Sequence, residues 1–298
     1  MKILVTGAWH NAADNIGKLE EMGFTVYFMQ FEKDNLPDGA EDADAIICHN
    51  LFAHHPIEQF VNLKYIQVTS AGTEHLPLDY IEKHGIKLNN ARGVYSVPMA
   101  EYAFSGVLDL CKHRRYFDGN QKAHRWEKDR GLLELCGKTV TILGCGSVGQ
   151  ECAKRFSAFG CRIIGIDNYK KSAEYFDEIY PNERLAEVLP SSFVTVISLP
   201  LTDETEGLFD EKTFSYIPDG SILVNISRGR IVKTDALINN ADRLLGAVID
   251  VFEEEPLDPS SPLWEKENVI VTPHNSFVGD GNDGRLTSLI FSNLENIN

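Results

Sequence analysis

The sequence lacks the two features that would direct a protein into a membrane or a secretory pathway. No apolar run approaches the roughly 18 residues that a membrane-spanning helix needs. The first residues, Met-Lys-Ile-Leu-Val-Thr-Gly, contain neither the long apolar core nor the small-residue cleavage site of a signal peptide. We therefore expect a cytoplasmic protein.

Positive charge is also scarce. The 298 residues include 28 Lys and Arg against 44 Asp and Glu, which gives a formal net charge of −16. Nucleic acids and anionic membranes attract basic surfaces, so this balance argues against both as partners. An anionic substrate would then need a local positive site.

Paired metal-binding or redox cysteine motifs are missing. The six cysteines are Cys48, Cys111, Cys136, Cys145, Cys152 and Cys161, and none forms a C-x-x-C pair or a zinc-finger spacing. This pattern predicts buried, reduced thiols, although Cys145 remains a candidate for oxidation beside a cofactor. The segment from Cys48 to His55 contains three histidines and suggests a metal site, but no matching ligands stand at a suitable spacing elsewhere. We predict no metal and interpret the segment as a loop lining a substrate cleft.

A complete βαβ pattern stands out in residues 139–167. Thr139 to Leu143 alternates β-branched and apolar residues as a buried strand does, and Gly144, Gly146 and Gly149 follow as G-x-G-x-x-G. The first glycine permits a tight turn, the second lets a pyrophosphate approach the backbone, and the third allows close packing of helix on strand. A helical segment and a second strand ending at Asp167 complete the unit. The pattern predicts a dinucleotide site.

The acid at the end of that unit bears on the choice of cofactor. Asp167 has the charge and position to accept hydrogen bonds from ribose hydroxyls and to repel a 2′-phosphate, which favours NAD over NADP. Lys170 and Lys171 lie close enough in the sequence to leave NADP open.

The remaining pattern indicates two α/β domains. Lys2 to Thr6 reads as the first strand of a separate small parallel-sheet domain, because Trp9-His10-Asn11 replaces the later glycines of a dinucleotide motif. One long helix over Val97 to Arg115 is predicted to leave this domain. The second domain is predicted to hold six strands, the number in a full dinucleotide-binding domain. The aromatic residues Tyr116, Phe117 and Trp126 follow the helix in a polar stretch and form either a subunit contact, which we favour, or a packed linker.

Three ionisable residues follow the last three predicted strands: Arg228, Glu255 and His274. Ligands of open α/β sheets bind at the carboxyl ends of the strands, so we expect the three to converge there. Reduction of a ketone builds negative charge on oxygen and needs a proton donor. A carboxylate beside a histidine keeps that histidine protonated near neutrality, and an arginine fork matches a carboxylate. The pattern predicts reduction of a 2-oxo acid, with His274 as acid/base, Glu255 as its partner and Arg228 on the substrate.

Over nearly its whole length the chain resembles the D-isomer-specific 2-hydroxyacid dehydrogenases. The resemblance rests on Ser-Ala-Gly at 70–72, Val-Tyr-Ser-Val-Pro-Met-Ala-Glu at 94–101, Leu-Cys-Gly-Lys-Thr-Val at 135–140, Leu-Pro-Leu-Thr-Asp-Glu-Thr-Glu-Gly-Leu at 199–208, the glycine motif and the three catalytic segments. It implies an α/β fold with two Rossmann-like or flavodoxin-like domains of doubly wound parallel sheet and a cleft between them. It also implies a discontinuous substrate domain, residues 1–97 with 280–298, and an NAD-binding domain over 98–279. A homodimer through the NAD-binding domain is expected.

The resemblance extends to individual positions. It implies the catalytic roles stated above for Arg228, Glu255 and His274. For the substrate it implies Ala71, Gly72 and Tyr95. For the cofactor it implies, beside the three glycines, Ser147, Val148, Asp167, Leu199, Pro200, Thr205, Ile226, Ser227 and Asp250.

The sequence departs from the family pattern at several places and leaves one rival function. Phe193, Ser198 and the run Asn275-Ser276-Phe277 differ from the residues common at those positions, which affects the identity of the substrate rather than the chemistry. The rival is a catalytically idle NADH-sensing protein, because the family includes transcriptional co-repressors. The complete triad argues against it.

Overall fold

A computed structural model of the chain describes residues 1–297. The chain divides into two compact units, one formed by Met1–Tyr95 with Gly279–Asn298 and the other by Ser96–Val278. The last predicted residue of the substrate domain, Asn298, lies outside the described residues. No helix within residues 1–297 is long and apolar enough to span a membrane. The assignment of substrate and cofactor roles to the two units stays a prediction.

Twelve strands and nine α-helices are found in residues 1–297. The strands are β1 (Lys2–Thr6), β2 (Thr25–Met29), β3 (Ala45–Cys48), β4 (Tyr65–Val68), β5 (Lys87–Asn89), β6 (Thr139–Leu143), β7 (Arg162–Ile166), β8 (Glu178–Tyr180), β9 (Val194–Ile197), β10 (Ile222–Asn225), β11 (Gly246–Ile249) and β12 (Val269–Val271). The helices are α1 (Ala12–Glu21), α2 (Leu78–Lys83), α3 (Ser96–Cys111), α4 (Arg114–Lys122), α5 (Ser147–Ala158), α6 (Leu185–Val188), α7 (Glu211–Phe214), α8 (Thr234–Asn240) and α9 (Asn282–Glu295).

The first unit is a five-stranded parallel sheet in the order β2-β1-β3-β4-β5, which is the flavodoxin-like order. Its two faces each carry a buried apolar cluster. Trp9, just beyond β1, is fully buried and its indole N–H donates to Thr287 Oγ1 of α9 at 2.9 Å. A packed tryptophan therefore occupies the strand end where a dinucleotide fold would have its glycine turn.

The second unit is a seven-stranded parallel sheet in the order β12-β11-β10-β9-β6-β7-β8. Starting from β6, this is the strand order of a dinucleotide-binding sheet with one further strand at the edge of β11. Apolar clusters cover both faces, so the sheet is doubly wound as predicted. The predicted count of six strands is wrong because β8 was missed. That edge strand is three partly buried residues long, too short to show a period of two.

The predicted single helix over 97–115 is wrong as well. The chain forms α3, breaks at His113, and resumes as α4. His113 has a left-handed backbone with φ of 50°, and its Nδ1 lies 2.6 Å from Asp129 Oδ2. Leu133 N also donates to Cys111 O at 3.0 Å. Contacts with residues 129–133 therefore end α3, and these contacts cannot be predicted from the local sequence.

Candidate active site

The central pair of the site is His274 and Glu255. Glu255 lies in the turn that follows β11, where its Oε1 accepts a hydrogen bond of 3.1 Å from Phe252 N. Its Oε2 lies 2.9 Å from Nδ1 of His274, which follows β12. Both side chains are partly exposed, at 42% for His274 and 37% for Glu255. The carboxylate thus fixes the imidazole through one ring nitrogen and leaves Nε2 on the far side of the ring for a substrate.

The backbone around His274 is held by a carboxylate that the sequence did not reveal in this role. Asp250 has no solvent exposure, and its oxygens accept from Thr272 Oγ1 at 2.6 Å, Asn275 N at 2.8 Å and Ser276 N at 2.9 Å. Its backbone carbonyl accepts from His274 N at 2.8 Å. These bonds maintain His274 at a φ of 51°, a left-handed conformation that a side-chain-bearing residue rarely adopts.

A tyrosine on α3 extends this support. The hydroxyls of Tyr102 and Thr272 lie 2.5 Å apart. Burial raises the pKa of Tyr102, and the nearby Asp250 carboxylate adds to the increase while the bond to Thr272 opposes it. On the other side of the loop, the ring of Phe277 meets the His274 ring edge to face at 6.1 Å. Sequence analysis had no signal for Tyr102 or Thr272, because their roles depend on contacts between distant segments.

Arg228 lies at the end of β10, the strand beside β11. Its backbone is extended, its Nη1 donates to Ser227 O at 2.9 Å, and its carbonyl accepts from Asn225 Nδ2 at 3.2 Å. The next residue, Gly229, packs so closely on the turn after β11 that a Cβ there would lie 1.7 Å from Phe252 O. Because β10, β11 and β12 are adjacent and parallel, the three predicted catalytic residues follow neighbouring strand ends. All three therefore follow strands that end at the same edge of the sheet, and their catalytic roles stay predictions.

The glycine turn is built by close backbone approaches. Gly144 has a φ of 91° and lies against Ser198 O, where a Cβ would be 2.8 Å away. A Cβ on Gly149 would lie 2.0 Å from Gly144 O. Ser198 Oγ donates to the carbonyls of Leu143 and Gly144 at 3.0 and 2.9 Å. The glycine turn therefore leads directly into α5. Gly146 is the N-cap of this helix, and Ser147 and Val148 are its first two residues.

Asp167 and Lys170 hold this turn from two sides. Asp167 accepts from Cys145 N at 2.9 Å and from the backbone of Tyr169 and Lys170 at 2.8 and 3.0 Å. Lys170 Nζ donates to Cys145 O at 2.7 Å. The backbone N–H of Cys145 is thus bonded to the Asp167 carboxylate, and its backbone carbonyl is bonded to the Lys170 ammonium. The sequence suggested only a ribose contact for Asp167 and gave Lys170 no structural part.

The thiol of Cys145 is not the oxidation-prone group that its position suggested. It is buried, and burial together with the Asp167 charge raises its pKa to about 12, against a smaller lowering by Lys170. The thiolate is the form that oxidants attack, so this environment protects the sulfur. All six cysteines are free thiols, and Cys136 is the exposed one.

These residues fit a dinucleotide. The first N–H groups of α5, a twelve-residue helix, point away from the helix body at the glycine turn, and a helix N-terminus favours a phosphate. Asp167 stands at the end of the adjacent strand β7. Farther along, Leu199, Ile226 and Ser227 are buried, and Thr205 Oγ1 donates to Pro200 O at 2.7 Å. Contacts of these residues with a bound cofactor stay predictions.

The loop after β4 in the first unit contains Ala71 and Gly72, two of the predicted substrate residues. The carbonyls of Ser70, Ala71 and Gly72 accept from Ala91 N, Asn90 Nδ2 and Ser70 Oγ at 2.8, 2.7 and 2.8 Å. Within residues 1–297 the N–H groups of Ala71 and Gly72 form no hydrogen bond. The loop carbonyls are thus bonded to the protein while two adjacent donors remain for a ligand.

Two other predicted features of the first unit have definite positions. Tyr95, the third predicted substrate residue, donates a hydrogen bond from its hydroxyl to Thr69 O at the start of that loop. The Cys48–His55 segment begins at the end of β3, and Cys48 itself is buried. No group of three His, Cys, Asp or Glu side chains in the described part of the chain is arranged to hold a metal ion.

Comparison with known proteins decides the family. Residues 104–276 match the family model described as "D-isomer specific 2-hydroxyacid dehydrogenase, NAD binding domain". The chain belongs to this family. The predicted family, the α/β fold and an NAD-dependent dehydrogenase with an NAD-binding domain are thereby confirmed.

Individual members of the D-isomer specific 2-hydroxyacid dehydrogenases are similar over the whole chain. A hydroxypyruvate reductase of Blautia hydrogenotrophica is 29% identical, covering 99% of this chain and 96% of its own length. A solved structure of a family member from Aeromonas salmonicida subsp. salmonicida shares 27% identity, with a TM-score of 0.81 over 99% of this chain and 94% of that one. The D-lactate dehydrogenase of Aquifex aeolicus, solved with NAD and lactic acid, shares 25% identity, with a TM-score of 0.76 over 99% and 97%.

Proposed function

We propose that this dehydrogenase interconverts a small 2-oxo acid and its D-2-hydroxy acid, with His274 as the acid/base. The observation that carries the proposal is the 2.9 Å contact between His274 Nδ1 and Glu255 Oε2. A carboxylate on one imidazole nitrogen stabilises the imidazolium and orients the other nitrogen toward a reacting oxygen. A histidine that served only as a surface residue would not need the buried support that Asp250 gives its backbone.

In the reductive direction, the three residues have different roles. Bound NADH supplies a hydride to C2 of the substrate, and NAD⁺ accepts it in the reverse reaction. As the C2 carbonyl becomes an alcohol, His274 Nε2 donates the proton that the oxygen needs, and Glu255 stabilises the charge on the imidazolium before transfer. Arg228 binds the substrate carboxylate and polarises the carbonyl through its planar fork.

We propose that the loop after β4 also binds the carboxylate. The unbonded N–H groups of Ala71 and Gly72 suit an anion, and Tyr95 fixes the base of the loop through Thr69. The similar proteins named for hydroxypyruvate and lactate agree with a small 2-oxo acid.

For the cofactor, the proposal assigns the phosphates to the α5 N-terminus and the ribose to Asp167. The Asp167 carboxylate stays partly exposed while it accepts the hydrogen bond from Cys145 N, so it retains lone pairs for ribose hydroxyls. Its negative charge favours NAD over NADP. The proposed residues are Gly144, Gly146, Ser147, Val148, Gly149, Asp167, Leu199, Pro200, Thr205, Ile226, Ser227 and Asp250.

The direct test is oxidation of NADH, followed at 340 nm, with glyoxylate, hydroxypyruvate, pyruvate and larger branched or aromatic 2-oxo acids. We expect turnover of at least one small member, and loss of about a thousandfold or more in His274→Ala, since a positioned acid typically contributes 10²–10⁴-fold. Tight NADH binding without turnover of any 2-oxo acid would instead favour the NADH-sensing alternative.

We further propose a homodimer formed through α4 and residues 123–135. Trp126 is 98% exposed, and the segment with α4 surrounds a cavity of about 740 Å³. Asn120 is buried at this place, and neither its side-chain nitrogen nor its oxygen has a partner within residues 1–297. A large exposed aromatic beside an unsatisfied buried amide is typical of a surface that another chain covers.

Light scattering coupled to size exclusion tests this assembly. Trp126→Lys is expected to convert a dimer to a monomer or raise the dissociation constant by tenfold or more. Val61→Lys, which changes a similarly exposed apolar residue of the other unit, is the control and is expected to remain dimeric. A wild-type monomer would exclude the dimer.

Two other expectations stay predictions. The first unit is proposed to bind the substrate and the second to bind NAD. The cytoplasmic location expected from the sequence is the other prediction.

A further inference from the structure

Two histidines of the first unit lie together at the carboxyl edge of its sheet. His49 follows β3, and His75 closes the loop that follows the adjacent strand β4. Their ring centroids are 5.0 Å apart, and Nε2 of His75 lies 2.7 Å from His49 O. The second ring is therefore anchored to the backbone of the first, so the pair is a fixed arrangement.

A carboxylate fixes the backbone of His49 from the other side. Glu32 accepts from Thr6 Oγ1 at 2.8 Å, His49 N at 2.6 Å and Asn50 N at 2.7 Å. Within the described residues the His49 imidazole itself forms no hydrogen bond. The chain thus bonds the His49 backbone on two sides and leaves its ring nitrogens for a ligand.

The pair shares a loop with the proposed carboxylate site. Residues 69–75 begin at Thr69, whose N–H donates to Cys48 O at 2.9 Å beside His49, and include Ala71, Gly72 and His75. In a 2-oxo acid the carboxylate and C3 are the two substituents of the reacting carbonyl carbon. A group carried by C3 therefore needs a site near the carboxylate but distinct from it.

We propose that His49 and His75 form the subsite for an uncharged hydroxyl on C3 of the 2-oxo acid. The inference rests on the proposed function and narrows its substrate to the 3-hydroxy-2-oxo acids, of which hydroxypyruvate is the smallest. A neutral imidazole both donates and accepts a hydrogen bond, which matches a hydroxyl group.

The electrostatics of the pair favour a neutral group over an anion. Partial desolvation lowers the pKa of His49, the neighbouring His75 lowers it further and Glu32 partly opposes them, so the neutral form of the ring is favoured. The Glu32 carboxylate, bonded to the His49 backbone, also repels a second anion. A C3 phosphate or a second carboxylate is therefore disfavoured.

The test compares kcat/KM for hydroxypyruvate, pyruvate and glyoxylate, because glyoxylate has no C3 and reports the chemistry alone. In the wild-type enzyme we expect hydroxypyruvate to exceed pyruvate by about tenfold or more, the value of one or two hydrogen bonds. His49→Leu should reduce kcat/KM for hydroxypyruvate about tenfold and leave glyoxylate within twofold. His49→Gln, which keeps a donor and an acceptor, should restore part of the loss. His54→Leu, an exposed histidine of the same loop, should change neither.

Three results would overturn the subsite while leaving the reaction intact. They are an equal fall for glyoxylate in His49→Leu, no fall for hydroxypyruvate, and wild-type preference for the C3 phosphate ester of hydroxypyruvate. If wild-type enzyme reduces no 2-oxo acid, including glyoxylate, the proposed function fails and the subsite fails with it.

Discussion

The hydroxyl of Thr272 donates a 2.6 Å hydrogen bond to Oδ1 of Asp250, a carboxylate without solvent exposure. The Asp250 carboxylate also accepts hydrogen bonds from the backbone N–H groups of Asn275 and Ser276. Asn275 follows His274, the proposed acid/base, and Ser276 precedes Phe277, whose ring contacts the His274 ring. Asp250 thereby determines the path of the loop that carries His274.

Asp250→Asn tests this arrangement. An amide of the same size turns its NH₂ toward at least one loop donor, so we expect a loss of about 2 kcal/mol in the free energy of unfolding, as for a buried bond left unmade. The kcat for 2-oxo acid reduction should fall more than the affinity for NADH, measured by NADH fluorescence. Asp280→Asn, at an exposed position of the other unit, is the control. Unchanged stability and kcat would contradict the role.

Glu255→Gln is expected to move the pH profile of reduction. Reduction needs imidazolium, and the carboxylate in contact with the ring stabilises it, so activity that falls as pH rises should fall at a lower pH in the variant. Glu254→Gln removes a neighbouring exposed charge and should leave the profile in place. A normal rate with an unmoved profile in Glu255→Gln would show that Glu255 is not the partner.

Asp167→Ala is expected to weaken NADH binding about tenfold or more. The substitution removes both the proposed ribose acceptor and the bond that holds Cys145 N, each a hydrogen bond to a charged group. Titration of NADH fluorescence gives the dissociation constant without any need for substrate. The same titration with NADPH should show a smaller loss, because the charge that repels a 2′-phosphate is also gone. Equal affinities for NADH before and after the substitution would show that neither the proposed ribose contact of Asp167 nor its hydrogen bond with Cys145 N contributes to NADH binding.

Gly149→Ala should disrupt the glycine turn, since a Cβ would lie 2.0 Å from Gly144 O. We expect a loss of about 2 kcal/mol or more in stability and a parallel loss of NADH affinity. Gly17→Ala is the matched control, because Gly17 is an exposed glycine of α1 with nothing within 4 Å of its added Cβ. The free energy of unfolding of the Gly17→Ala control should rise by up to about 1 kcal/mol. Thermal unfolding of both variants measures the difference. A Gly149→Ala protein that is as stable as Gly17→Ala would contradict the close approach of Gly149 to Gly144 O.

Thiol chemistry should distinguish one cysteine from five. Burial raises the pKa of Cys145 and Cys152 to about 12 and of Cys161 to about 11, and it raises those of Cys48 and Cys111 too. A thiol with a pKa of 12 is about one part in 10⁴ thiolate at pH 8, so these groups should react slowly. With Ellman's reagent we expect one fast equivalent at pH 8, lost in Cys136→Ser, and six equivalents after denaturation. More than one fast equivalent in the native protein would contradict the buried positions.

Local patterns were sufficient for eleven of the twelve strands in residues 1–297, for the glycine turn and for the order of the catalytic segments. Alternation of apolar residues locates β6, and the glycine spacing locates the turn, because each depends on neighbours within a few residues. The same reasoning missed β8, which is too short to show alternation, and the break at His113, which depends on a contact with Asp129.

The sequence by itself determined that a βαβ unit with a dinucleotide motif is present and that Arg228, Glu255 and His274 follow successive strands. Only the tertiary structure decided that Glu255 contacts His274, that Asp250 supports its loop, that Asp167 and Lys170 hold Cys145, and that His49 and His75 lie together. The physical reason is range. Backbone periodicity acts over a few residues, whereas hydrogen bonds between loops 19 or more residues apart exist only after the parallel strands have aligned their carboxyl ends at one edge.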